Sequence, residues 1–115
     1  MRSLAIAMAV LASLMTSGAA LAQKLTPVRF ALDWRFEGPA APFFVAIDKG
    51  FYKAEGLNVT IDPGSGSVEG INRVASGAYD VGFCDINLLV KYRDNPRNLP
   101  VKMVMMVYDT PAFSI

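Results

Sequence analysis

No histidine occurs among the 115 residues, and the chain holds one cysteine and one tryptophan. Without imidazole there is no Ser-His-Asp triad, no His-ligated metal and no ordinary general base near neutral pH. One thiol cannot close an intrachain disulfide or build a cysteine-rich zinc site. Charge is sparse as well: 11 Lys and Arg stand against 10 Asp and Glu. That balance provides no electrostatic pull toward a polyanion and argues against a nucleic-acid partner.

What the chain has in abundance is apolar side chains, 53% of the total, and residues 1–22 hold a large part of them. Those residues have the three regions of a secretory signal peptide: Arg2, an apolar run over 4–15, and Ala20-Leu21-Ala22 as a small-x-small cleavage site. A transmembrane anchor is the competing interpretation. Against it, the run is shorter than the roughly 20 residues that span a bilayer, and Thr16-Ser17-Gly18 interrupts it. Gln23 rather than cysteine follows the site, so no lipoprotein anchor is expected. Cleavage after Ala22 would leave 93 of the 115 residues, with ten basic and ten acidic side chains. The expected organisation is a signal peptide over 1–22 and one α/β unit over 23–115, released into the periplasm.

Along the mature chain Val28, Phe30 and Leu32 alternate as a strand, and a turn-rich loop follows over 33–39. Pro42 suits the first turn of a helix that places Phe43, Ala46, Ile47 and Gly50 on one face, and Gly56 ends the turn after it. Leu57, Val59 and Ile61 form a second strand, stopped by Pro63-Gly64. Val68, Ile71, Val74 and Ala75 then recur at helical spacing, with Glu69 in the first turn and Gly77 as the stop. A third strand is expected over 81–84. Asp85 is a natural N-cap for a helix carrying Ile86, Leu89 and Val90 inward, and Asn95-Pro96 breaks it. The apolar run over 101–108 reads as a fourth strand covered on both faces. Such alternation predicts an α/β fold with a mostly parallel sheet and helices on both faces.

In sheets of this kind ligands collect at the carboxyl ends of the strands. That rule selects the loops at 33–37, 63–67, 85 and 109–111. Gly64-Ser65-Gly66-Ser67 lets backbone approach a ligand, adds two hydroxyls and opens a helix, although an ordinary strand-to-helix turn capped by Ser67 explains the same residues. It lacks the Lys-Ser/Thr ending of a phosphate loop. Trp34 and Phe36 can stack on a flat ligand, or one of them can plug the top of the core. Asp33 and Asp85 can together accept hydrogen bonds from an amine or amino-heterocycle, with N-capping as the competing role for Asp85. Cys84, with no histidine to activate it, is expected to be inert. Met103, Met105 and Met106 read as core, and Arg35 with Glu37 as a salt-bridged rim.

Residues 28–34, Val-Arg-Phe-Ala-Leu-Asp-Trp, and residues 46–59, with Gly50-Phe51-Tyr52-Lys53-Ala54-Glu55-Gly56-Leu57-Asn58-Val59 as the most specific stretch, resemble the start of a group of ABC-transporter solute-binding proteins. The group is the one that binds nitrate, sulfonates, taurine or the pyrimidine precursor of thiamine. Gly64-Ser65-Gly66-Ser67 and residues 75–83 continue the likeness. The resemblance implies the type 2 periplasmic-binding-protein fold: two α/β lobes on a hinge, a small-molecule solute held between them and delivered to a membrane permease. It also implies that Trp34, Ser65, Gly66, Ser67 and Asp85 line the first lobe's side of the cleft. Members of the group are longer, so the chain is expected to represent the N-terminal lobe alone.

The expected activity is therefore binding rather than catalysis, with no cofactor and no metal, and with a monomeric full-length protein. Pyrimidine-synthesising relatives of the fold are the enzymatic alternative, and they use histidine and a cysteine-rich, iron-associated motif, neither of which these 115 residues contain. A truncated product without independent function is the third possibility. Helix N-termini suit a sulfonate or nitrate, whereas Asp33, Asp85 and Trp34 suit a nitrogenous ring, and the acidic residues favour the ring.

Overall fold

The computed structural model describes residues 24–109. The signal-peptide segment, its cleavage site and the loop residues 110–111 lie outside the described residues. Strand β1, Thr26–Ala31, is central. It pairs in parallel with β2, Leu57–Asp62, along its whole length, from Thr26 opposite Leu57 to Ala31 opposite Asp62. On its other side it meets β3, Val81–Gly82, at Phe30 and Ala31 only, so the strand order is β2-β1-β3.

Helix α1, Ala41–Asp48, follows a 3₁₀ turn at Gly38–Ala40 and carries proline at its start, where a missing N–H leaves no bond unmade. A second short helix, α2, Phe51–Ala54, begins at Gly50, whose φ of 72° is left-handed. The sequence reading treated that stretch as a turn. Helix α3, Ser67–Ala75, joins β2 to β3, and α4, Ile86–Arg93, follows β3.

Because the sidedness of β1 is alternate, its two faces bury against different helices. Phe30, Leu32 and Ile61 form a core with Ala40, flanked by half-buried Phe43, Phe44, Ile47, Val59 and Phe83. Phe43 of α1 meets Phe30 edge-on at 4.9 Å and Phe83 at 5.3 Å. Burial of each such side chain contributes roughly 1.5–3 kcal/mol. On the opposite face Ala31 and Ile71 are buried, and α3 packs on β1 and β3. Helices thus cover both faces, as right-handed crossovers in opposite directions, β1 to β2 and then β2 back to β3, require. No helix of the described residues is long and apolar enough to cross a membrane.

Two expectations need correction. The third strand stops at Gly82 and does not reach Cys84. Residues 101–108 form no strand: they run without a ladder, and Val104 is 88% and Met105 70% exposed. An apolar run becomes a strand only where a neighbouring edge supplies hydrogen bonds, and β3 offers two residues of ladder rather than six. Met103, Met105 and Met106 are accordingly exposed and not core. The run is held at its ends instead. Arg93 Nη1 donates to the Val101 carbonyl at 3.1 Å, and the Tyr108 ring lies 6.0 Å from Phe83.

Candidate functional site

The parallel sheet delivers three loops to its carboxyl edge, and backbone hydrogen bonds stitch them together. Phe83 N–H donates to the Ala31 carbonyl at 2.9 Å, and Leu32 N–H to the Asp62 carbonyl at 2.9 Å. Beyond the ladder, Gly64 N–H donates to the Trp34 carbonyl at 3.0 Å and Gly66 N–H to the Asp33 carbonyl at 2.6 Å. This approach is possible only for glycine at 64, since a Cβ there would stand 2.1 Å from the Leu32 carbonyl oxygen. Gly66, at φ 127°, then turns the chain into α3.

Ser67, the first residue of α3, is the buried centre of the cluster, 9% exposed. Its hydroxyl oxygen accepts the Asp85 N–H at 3.0 Å, and the hydroxyl is close enough to the Asp33 carboxylate to act against the rise in its pKa. Asp85 caps α4: Oδ1 accepts from Asn87 N–H at 2.7 Å and Leu88 N–H at 3.2 Å. Burial raises the Asp33 carboxyl above its ordinary value, the nearby Asp85 charge adds to the rise, and hydrogen bonds including that from Ser67 oppose it. Cys84 lies against the same group. Burial, then the Asp33 charge, pushes its thiol up to about 11, so at neutral pH it is protonated and not a nucleophile. A Cβ on Gly70 would sit 2.6 Å from Cys84 Sγ, so α3 comes this near to β3 only through a glycine.

Of the residues singled out from sequence, Asp33, Ser67 and Asp85 come together, with Gly66 joined to them through its backbone. Of the two roles weighed for Asp85, the N-cap is the one its Oδ1 makes. Trp34 is half-exposed at the rim, with the Arg35 guanidinium 5.9 Å from its ring centre. Arg35 therefore covers Trp34, and among the described residues it forms no ion pair with Glu37. Phe36 leans edge-on against Phe44 of α1 at 5.0 Å and remains 54% exposed. Ser65 is turned to the outer side of the turn, where its hydroxyl and N–H both donate to Glu69.

Glu69 and Arg73 are the residues that the motif search passed over. They form an ion pair at 2.6 Å, and Arg73 Nη1 donates to the Pro63 carbonyl at 2.9 Å. Their Glu-x-x-x-Arg spacing was the available signal. An open hollow of about 650 Å³ lies along this side of α3, lined by Ser65, Val68, Glu69, Asn72, Arg73 and Ser76; Asp33, Ser67 and Asp85 take no part in it. No group of three or more His, Cys, Asp or Glu side chains that could hold a metal ion occurs among the described residues.

Comparisons with curated proteins and with solved structures give no match. A family model described as NMT1/THI5 like matches residues 39–115. The match takes in α1 to α4, the Gly64–Ser67 turn and Asp85, and leaves residues 1–38, with β1 and Asp33, Trp34 and Phe36 of its following loop, outside. With about two thirds of its length matched, and with the α/β architecture that the sequence resemblance implied, the chain belongs to the NMT1/THI5-like family.

Proposed function

We propose that the chain is the first lobe of an exported solute-binding protein that captures a small nitrogenous ring compound and delivers it to an ABC-transporter permease. The observation that carries the reading is the convergence of Asp33, Ser67 and Asp85 at the carboxyl edge of the sheet. Family membership supports solute binding as the activity. The polarity of the cluster supports the solute class. The Ser67 hydroxyl oxygen is already engaged by the Asp85 N–H, and neither Asp33 nor Asp85 has a salt-bridge partner among the described residues. What the edge offers through these side chains is acceptors and negative charge, which favour N–H donors and a positively polarised ring. Trp34, half-exposed beside them, supplies a face for stacking. A sulfonate or nitrate would meet two carboxylates with no cationic side chain paired to either among the described residues, and so is the less favoured occupant.

Binding between this lobe and a second one, a periplasmic location and a monomeric carrier are parts of the same proposal. Catalysis is not: Cys84, the one thiol, is held protonated, and no histidine is present to activate it. The test is thermal unfolding of the full-length gene product with benzamidine, 4-aminopyrimidine, taurine and nitrate. At a hundredfold excess over Kd a one-site ligand adds about 2.7 kcal/mol to the folded state. A rise in Tm with the two nitrogenous probes and none with the anions is expected. A rise with taurine or nitrate alone would overturn the solute class, and turnover of any probe would overturn the carrier role.

A further inference from the structure

Glu69 and Arg73 stand behind the Gly64–Ser67 turn, on the side away from Asp33, yet between them they hold both of its flanks. Glu69 Oε2 accepts from Ser65 N–H at 2.8 Å and from the Ser65 hydroxyl. Its other oxygen accepts from Arg73 Nη2 at 2.6 Å, and Arg73 Nη1 reaches the Pro63 carbonyl at 2.9 Å. Gly64 is thus gripped from Pro63 and from Ser65. On the inner side the same short stretch donates Gly64 N–H to Trp34 and Gly66 N–H to Asp33. The Arg73 guanidinium is itself seated 5.3 Å from the Tyr79 ring, which also carries Arg29 at 4.3 Å and whose hydroxyl donates to Asp62 Oδ2 at 3.0 Å. A guanidinium suits this place because its planar fork can donate to two acceptors at once, which an ammonium on one stem does poorly.

We propose that Glu69 and Arg73 are positioning residues for solute capture: together they set the Pro63-to-Gly66 turn and, through the backbone bonds of Gly64 and Gly66, the placement of Trp34 and Asp33. Solute affinity then depends on two side chains that do not touch the solute. The inference rests on the solute-binding reading of the same edge.

The experiment compares the full-length protein with Glu69→Ala and Arg73→Lys by amide hydrogen exchange and by calorimetric titration with benzamidine. In Glu69→Ala, exchange at Gly64 and Gly66 should quicken about tenfold while exchange at Phe30 in β1 stays unchanged, because only the local opening equilibrium is shifted. Benzamidine affinity should fall about tenfold, within the usual range for couplings of this kind. Arg73→Lys keeps the charge and should lose part of both effects. Wild-type behaviour in Arg73→Lys would overturn the fork, since charge alone would then suffice. Unchanged Gly64 and Gly66 exchange in Glu69→Ala would overturn it too, as would equal acceleration at Phe30, the mark of general destabilisation. If benzamidine fails to bind the wild-type protein, the solute class is at fault, and exchange at Gly64 and Gly66 still decides for or against the fork.

Discussion

The two sides of the Gly64–Ser67 turn treat a carboxylate in opposite ways. On the outer side Glu69 is half-exposed, and hydrogen bonds from Ser65, followed by the Arg73 charge, hold its carboxyl below the ordinary value. On the inner side burial, then Asp85, holds Asp33 above it, with hydrogen bonds only partly opposing. The outer side is complete in itself. The inner side keeps a carboxylate with no cation paired to it among the described residues, which leaves an arriving N–H donor more to gain there. Linkage gives the two residues opposite signs. The Glu69 contribution is present above its unfolded pKa and is lost as pH falls through the folded value. Ionising Asp33 weakens the fold, with the cost setting in as pH rises above about 3.8 and complete above the folded pKa.

The sharpest way to break the comparison is to part the two sides. Gly64→Ala places a Cβ 2.1 Å from the Leu32 carbonyl oxygen, and backbone at both ends leaves no easy relief. Destabilisation of about 3 kcal/mol or more is expected in urea unfolding, at or beyond the usual upper range for overpacking. Next in size is Asp33→Asn. It should weaken benzamidine binding by tenfold to about a hundredfold, the value of one charged hydrogen bond, and yet raise Tm at neutral pH. The gain in Tm should vanish below about pH 3.8, where the wild-type carboxyl is protonated as well. A lower Tm at neutral pH would show that the inner carboxylate is satisfied after all. Smallest is Gly70→Ala, whose Cβ would meet Cys84 Sγ at 2.6 Å. A cost of about 1–3 kcal/mol is expected, largely recovered in the double variant with Cys84→Ala, a coupling that denaturant melts of the four proteins would measure.

Much of this arrangement could be read from the chain alone. Strand alternation at Val28, Phe30 and Leu32 and again at Leu57, Val59 and Ile61 located β1 and β2, and the helical spacing after Ser67 located α3. Asp85 before an apolar helical stretch was legible as a cap, because N-capping is a local bond with a local pattern. Residues 101–108 misled for a complementary reason. Apolar character records a tendency to be buried, whereas a ladder needs a neighbour, and nothing in the run itself states how short β3 is. The Arg73 contact with Pro63 was equally hidden. Its Glu69 spacing is local, but the direction of the Pro63 carbonyl is set by the turn's close approach to Leu32. The contact of Phe36 with Phe44 was hidden too, a partner eight residues on that no periodicity indicates.

The unequal ladders of the sheet have a temporal consequence. β1 and β2 share a six-residue register between partners closer in sequence than those of β1 and β3, so this half can assemble first. β3 adds two residues and brings Cys84 and Asp85 with it. The edge proposed for capture is then the last part of the sheet to close and the first to open, and a solute bridging Asp33 and Asp85 would fasten the weakest seam of the lobe.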